Sequence, residues 1–228
     1  MKRLKTIAAV LVLALFGRPV AAADRDHPAV VELYQSQGCS SCPPADAVLN
    51  GLADRPDVLA LSFAVTYWDQ LGWKDTFAQP GFTQRQWDYA KAGGRSEVAT
   101  PQMVVNGRGV LTGNHRPDVD AAIVRYDRGA TGPTIHAERS VATVGAGKGS
   151  GTLWLVRYDP RTIAVPIRAG ENGGRTIDHR NIVRQLVALG HWSGAVSMFK
   201  VPPTQTGLSN ALILQAGSGG PIISSVRM

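Results

Sequence analysis

The chain has little cysteine: Cys39 and Cys42 are its only two, among 228 residues. Exported proteins that depend on disulfides for stability commonly carry several long-range pairs, and this sequence has none. A bridge between the two closes a very small loop, worth about 2 kcal/mol in the chain-entropy model, and the chain is long enough to bury a core without it. We therefore expect the pair to do chemistry, with a purely structural disulfide or a metal site as the alternatives.

Long apolar runs are absent beyond the amino terminus. Residues 7–16 are apolar, follow a basic segment at residues 2–5 and precede the small residues 21–23, which is the pattern of a secretory signal peptide over residues 1–23. The run is shorter than the ~20 residues that span a bilayer. We predict cleavage near Ala23 and a periplasmic or secreted bacterial protein without a stable membrane anchor, an uncleaved anchor being the alternative.

Charge of one sign is not concentrated anywhere in the predicted mature chain. The formal net charge of +7 includes four basic residues of the signal, and without them 20 basic and 17 acidic residues remain. Because the basic residues are scattered, the sequence gives no reason to expect nucleic acid as a partner. The five histidines show no ligand spacing, so no metal is expected, although Met103 and His115 could join the thiols around Cu(I).

Residues 28–128 alternate between predicted strands and helices. Apolar runs predict strands at 30–34 and 58–65, the second buried on both faces and parallel to the first. Asn106-Gly107 predicts a hairpin between two further strands, at 102–105 and 110–112. The other predicted elements are helices at 45–53, 83–92 and 117–127 and a linker at 129–133.

The texture changes from residue 134 onward, where short apolar or alternating runs are separated by glycine-rich turns. This pattern predicts an antiparallel, sandwich-like arrangement. Residues 182–189 fit a strand or a helix face, and their surroundings favour a strand. Residues 145–151 are similar to a phosphate-binding loop, but Gly149 stands where that motif needs Ser or Thr and no helix is predicted to follow, so we interpret them as a turn.

The cysteine pair lies at the predicted start of the first helix. Backbone N–H groups and the helix dipole stabilise a thiolate there, and we expect Cys39 to be exposed and Cys42 to lie one turn deeper. This placement suits attack on a disulfide by Cys39 and resolution by Cys42.

The order of elements in residues 28–128 resembles the thioredoxin fold. The resemblance implies that the Thr100–Pro101 bond is cis and that Pro101 faces the cysteine pair and helps to dock an extended substrate. Glu32 lies near the position where such proteins keep a buried acid; it would act as a proton relay to the Cys42 thiol or stand at the sheet edge. The predicted fold class is α/β, with a thioredoxin-like domain at 28–128 followed by a mainly antiparallel β domain at 134–228.

Several longer stretches are similar to an exported bacterial family known as domain of unknown function 1223. They are residues 31–46, 67–75, 100–107, 170–175 and 181–184. The resemblance covers nearly all of the mature chain and implies no established reaction.

The main functional hypothesis is an exported thiol-disulfide oxidoreductase that uses Cys39, Cys42, Pro101 and Glu32 and needs no bound cofactor. Its expected partners are thiols or disulfides of envelope proteins and a redox partner. The alternatives are a non-catalytic binding module of the cell envelope and a copper-handling protein.

Other polar and aromatic residues near the motif have weaker assignments. Thr100, Tyr67 and Trp68 are expected to contribute to substrate binding, although such aromatic residues are also ordinary packing material. Asp46 follows Cys42 by one helical turn and is interpreted as a solvated first-turn acid that favours the helix dipole.

Overall fold

The computed structural model describes residues 22–228, so the predicted signal peptide lies outside the described residues except for its last two positions. Three helices and thirteen strands occur in the described part of the chain. In chain order they are β1 (Ala29–Gln35), α1 (Pro43–Leu52), β2 (Val58–Ala64), α2 (Pro80–Ala92), β3 (Gln102–Val105), β4 (Gly109–Leu111), α3 (Arg116–Arg125), β5 (Ile135–Glu138), β6 (Val141–Val144), β7 (Gly151–Asp159), β8 (Ile163–Pro166), β9 (Thr176–His179), β10 (Ile182–Trp192), β11 (Ser197–Lys200), β12 (Ser209–Gln215) and β13 (Ile222–Arg227).

One eight-stranded sheet runs through the protein, in the order β13-β12-β7-β10-β2-β1-β3-β4. Strand β1 is parallel to β2 and antiparallel to β3, and β3 forms a hairpin with β4. The second half of the chain joins this sheet through β10, which pairs in parallel with β2 at Ile182 and Ser62. Two small sheets, β11-β6-β5 and β8-β9, complete the strand pairing.

The predicted fold class is wrong. The protein is mainly β, with about 36% strand and 16% helix, and it is not a thioredoxin-like α/β domain followed by a separate sandwich. The reason is the β2–β10 junction, where Ser62 N donates to the Asn181 carbonyl and the Asn181 amide donates to the Ala60 carbonyl. Apolar patterns indicate that a strand is buried without indicating its neighbour. The domain limits at 28–128 and 134–228 stay a prediction, and the large sheet takes strands from both ranges.

The individual elements agree better with expectation. The Asn106-Gly107 hairpin is confirmed, and both residues have positive φ, as the tight turn requires. The parallel pairing of the first two strands is confirmed. Residues 182–189 are also a strand, within β10, which pairs with β7 over its whole length. No helix within residues 22–228 is long and apolar enough to cross a membrane.

Strand β1 is buried on both faces and divides the core in two. Val31 and Leu33 pack with Leu49 of α1 on one face, together with apolar residues of α3. Val30 and Tyr34 face the other way, towards α2 and the strands of the second half. Full burial of each such aliphatic side chain contributes about 1.5–3 kcal/mol, so both layers hold β1 and the loop that follows it in place.

Candidate functional site

Cys39 and Cys42 form a disulfide at the amino end of α1, with their Cα atoms 5.4 Å apart. The loop leaves β1 at Gln35, and Cys42 occupies the position just before the first helical residue. Its carbonyl accepts the backbone N–H of Ala45 at 2.9 Å, which begins the helical hydrogen bonding. The two prolines that follow lack N–H groups, as the first helical turn tolerates.

Both cysteines are fully buried, each with 0% exposure, so the expectation of an exposed Cys39 is wrong. Residues 167–175, which connect β8 to β9 and are called the cover segment below, contact the cysteine loop. Its buried Asn172 donates from Nδ2 to the carbonyl oxygens of Gln37 at 2.9 Å and Cys39 at 2.8 Å. The second half of the chain thus covers a pair that a helix start alone would leave open.

Glu171 provides the second contact of the cover segment. Its Oε2 accepts the backbone N–H of Ser40 at 3.1 Å and the Ser40 hydroxyl at 2.7 Å. These hydrogen bonds hold the pKa of the Glu171 carboxyl below its usual range. A negative charge is therefore held beside the cysteine pair, at the positive end of the α1 dipole.

The Thr100–Pro101 bond is cis, and the segment lies beside the cysteine loop. The Ser41 hydroxyl donates to the Thr100 carbonyl at 3.5 Å and also lies 3.4 Å from Cys39 Sγ. Gln86 of α2 holds the segment from the other side, donating to the Ala99 carbonyl at 2.8 Å. The structure therefore brings Thr100 and its proline next to the cysteines.

Tyr67 and Trp68 are half-buried and lie close to the same loop. A side-chain carbon placed on Gly38 would lie 3.6 Å from Trp68 Cβ, so Trp68 lies beside the residue that precedes Cys39. The Tyr67 hydroxyl donates to Gln86 Oε1 at 3.3 Å, and burial raises the pKa of Tyr67. Both aromatic residues border the loop and also pack against the core.

Glu32 does not lie with the cysteines. Side chains alternate along a strand, so Glu32 lies on the face of β1 opposite Val31 and Leu33, which pack against α1. Its carboxylate accepts two hydrogen bonds from Arg85, at 2.7 and 2.9 Å, and one from each of the hydroxyls of Tyr34 and Tyr89, at 2.8 Å. All of these hydrogen bonds come from residues other than the cysteine pair, so the geometry does not support a proton relay from Glu32 to Cys42.

Asp46 is buried, with 3% exposure, and its interpretation as a solvated acid is wrong. Strand β9 lies against α1 and places His179 beside it, with Nδ1 3.4 Å from Asp46 Oδ1. Burial raises the pKa of Asp46. Burial alone would lower the pKa of His179, but Asp46, followed by Asp75 and Asp178, raises it. A buried acid thus does lie on the helix of the cysteines, one turn after Cys42.

The sequence did not identify the buried polar residues that hydrogen-bond to one another beneath the surface at the cysteine loop. Gln37 donates its backbone N–H to Asp75 at 2.7 Å and accepts the Trp73 indole N–H at 2.9 Å. Gln37, Asp75 and Asn172 are all buried. The only sequence signal for this set was the similarity of residues 31–46, 67–75 and 170–175 to a known family.

No group of three or more His, Cys, Asp or Glu side chains suited to a metal ion occurs within residues 22–228. Met103 is fully buried, and the side chain of His115, just before α3, is 65% exposed. Neither has a polar contact with the cysteine pair.

Fold and site together define a mainly β protein with a buried, covered disulfide at the start of a helix. The chain belongs to the family described as protein of unknown function (DUF1223), whose profile matches residues 30–214. The family expected from the sequence is thereby confirmed. No curated protein matches the chain.

Two solved structures are similar to this one. A crystal structure of a protein from Agrobacterium tumefaciens has 29% sequence identity and a TM-score of 0.76, covering 90% of this chain and 94% of that one. HBP35 of Porphyromonas gingivalis has 12% identity and a TM-score of 0.59, covering 89% of this chain and 75% of that one. The second similarity is one of fold alone.

Proposed function

We propose that this protein is an exported thiol-disulfide oxidoreductase whose reacting atoms are the sulfurs of Cys39 and Cys42. The observation that carries the proposal is the position of their disulfide at the amino end of α1. The helix dipole stabilises a thiolate there, so reduction yields a reactive sulfur rather than an inert thiol. The Ser41 hydroxyl, 3.4 Å from Cys39 Sγ, can turn from the Thr100 carbonyl to donate a hydrogen bond to that thiolate.

The reaction is a two-electron exchange. A thiolate of a reduced client attacks Cys39 Sγ, a mixed disulfide forms, the Cys39–Cys42 bond breaks, and Cys42 leaves as a thiolate. A second client thiolate then attacks the client sulfur of the mixed disulfide and releases Cys39. The client ends as a disulfide and the protein as a dithiol, which a redox partner re-oxidises; the reverse sequence reduces a client.

The cover segment has to move before a client reaches the sulfur. Its contacts at Ser40 are exposed, and those of Asn172 are to two backbone carbonyls. The two hydrogen bonds of Asn172 contribute about 0.5–1.5 kcal/mol each, so the cover segment can open locally without global unfolding of the chain. Pro101, Thr100, Tyr67 and Trp68 then border the exposed loop and supply the docking surface.

The expected clients are thiols or disulfides of envelope proteins, since the amino-terminal signal directs the chain out of the cytoplasm. Amino-terminal sequencing of the protein from a bacterial periplasmic fraction should begin at or near Asp24. A protein recovered with Met1 intact contradicts the exported part of the proposal.

The central experiment measures the reduction potential in glutathione buffers. A catalytic pair should lie between about −120 and −270 mV, and the Cys42→Ser variant should trap client proteins as mixed disulfides through Cys39. The Cys39→Ser variant is the matched control and should trap far less.

A binding module with an inert disulfide is the second candidate, and the complete burial of both cysteines favours it. It predicts a potential below about −300 mV and no trapped adduct with either variant. That result would overturn the oxidoreductase proposal.

A further inference from the structure

A cavity of about 440 Å³ is lined by three basic residues, Arg108, Arg128 and Lys148. Arg108 comes from the turn between β3 and β4, Arg128 from the segment after α3, and Lys148 from the loop between β6 and β7. No acidic residue lines this cavity. Its lining is also separate from every residue that contacts the cysteine loop.

Arg128 is buried, with 6% exposure, and its charge is not neutralised by a contact. Nη1 donates to the Gly129 carbonyl, and Nη2 donates to the Pro28 carbonyl and the Ser225 hydroxyl, all of which are neutral acceptors. Its Nε has no hydrogen-bond partner among the described residues. A buried guanidinium without a carboxylate is costly, and an unpaired N–H adds to the cost.

The acid nearest in sequence does not remove this imbalance. The two carboxylate oxygens of Asp127 accept the backbone N–H groups of Ala23 and Gly129, and no ion pair joins Asp127 to Arg128. Burial lowers the pKa of Arg128 to about 10, with Arg108 acting in the same direction and Asp127 and Asp24 opposing it. Arg128 therefore stays charged at neutral pH, and no carboxylate contacts it within residues 22–228.

Arg108 and Lys148 are exposed and make no ion pair in residues 22–228. Lys148 belongs to the glycine-rich stretch 145–151. Strand β7 follows this stretch, whereas a phosphate-binding loop motif is followed by a helix. The stretch nevertheless lines the cavity, so its lysine lies with the two arginines by tertiary contact rather than by motif.

We propose that this cavity binds a small organic phosphate, with the phosphate group between the exposed Arg108 and Lys148, near the buried charge of Arg128, and the apolar body against Pro221 and Ile223. Three positive groups, none of them in an ion pair within residues 22–228, favour a dianion over a carboxylate. The cavity volume lies within the range of small-molecule sites. A bare inorganic ion would leave the apolar part of the wall without a contact, whereas an organic phosphate would cover it.

Calorimetric titration of the purified protein with phenyl phosphate, at constant ionic strength, tests the proposal. We expect saturable binding at one site, and at least tenfold weaker binding in the double variant Arg108→Gln/Lys148→Gln. Both substitutions are at exposed positions, so the variant should fold, and its melting curve checks this. Lys200→Gln, which removes an exposed lysine from β11, is the matched control and should bind as the wild type does.

Three results would overturn the proposal: no binding of phenyl phosphate, binding unchanged in the double variant, or an equal loss in the Lys200 control. Benzoate bound as tightly as phenyl phosphate would overturn the choice of phosphate, and inorganic phosphate bound as tightly would overturn the apolar body. The variant Cys39→Ser/Cys42→Ser should retain binding. Failure of the redox proposal is therefore distinguishable from failure of this one.

Discussion

Glu171 accepts two hydrogen bonds from Ser40, at 2.7 and 3.1 Å, although 131 residues separate them in the chain. The contact places a carboxylate at the positive end of the α1 dipole, where a Cys39 thiolate would also be stabilised. Two negative charges at one helix terminus repel each other. Glu171 should therefore favour the disulfide over the reduced protein with a Cys39 thiolate.

Replacing Glu171 with Gln should make the protein easier to reduce. The amide oxygen can still accept from Ser40, but the negative charge beside Cys39 is lost. The repulsion between that charge and a Cys39 thiolate is lost with it, so the equilibrium constant for reduction by glutathione should rise roughly two- to fivefold. Glu138→Gln, at an exposed acid of β5, is the matched control and should leave it unchanged. A shift towards the disulfide in Glu171→Gln would contradict this argument.

Asn172→Ala should speed reduction of the native disulfide by dithiothreitol. The substitution removes two buried hydrogen bonds that hold the cover segment to Gln37 and Cys39, so local opening becomes more frequent, on the order of tenfold. Stopped-flow measurement of the reduction rate checks this. Asn114→Ala, at an exposed loop position, should not change the rate.

The free energy of unfolding of Asn172→Ala has to be measured beside the rate. If the rate rises only as much as global unfolding does, the cover segment is not a separately opening unit.

The sequence predicted the local features of the site and missed its long-range ones. The Cys39–Cys42 loop, the helix after it and the Asn106-Gly107 turn depend on residues that are adjacent in sequence. A short stretch of sequence is therefore enough to predict them. The hydrogen bond from Asn172 to the Cys39 carbonyl joins residues that no local pattern connects. The fold class failed for the same reason, since one pairing between Ile182 and Ser62 joins the two halves into a single sheet.

Glu32 and Asp46 are both buried acids, and the sequence did not show where either side chain lies. Strand β1 is buried on both faces, so apolar residues flank Glu32 on either side and give no indication of the face it occupies. Asp46 has the position of an ordinary first-turn acid, and only His179, on β9, reveals its burial.

Glu32→Gln should destabilise the protein by about 3–5 kcal/mol, because it leaves the Arg85 guanidinium buried with no counter-charge. Urea denaturation measures the loss. The double variant Glu32→Gln/Arg85→Met removes both charges and should recover part of the lost stability. The dithiothreitol reduction rate of the folded single variant should equal that of the wild type; a slower rate would restore the proton-relay role.

The buried pair of Asp46 and His179 should make stability fall as pH rises above neutrality. The pKa of His179 is raised from its ordinary value of 6.5, so the folded protein holds this proton more tightly than the unfolded chain does. The contribution is therefore fully present below pH 6.5 and is lost as pH rises through the folded value, at no more than about 1.4 kcal/mol per pH unit. The pKa of Asp46 is also raised, from 3.8, and adds a decline of the same sign at lower pH.

Urea denaturation between pH 5.5 and about 8.5 measures how stability changes with pH, and His179→Gln should flatten this slope. Asp46→Asn should reduce it, because the strongest of the groups that raise the pKa of His179 is gone while Asp75 and Asp178 remain. His136→Gln, at an exposed position of β5, should leave it unchanged. Stability that rises with pH across this window in the wild type would contradict the assignment of a charged imidazole to this site.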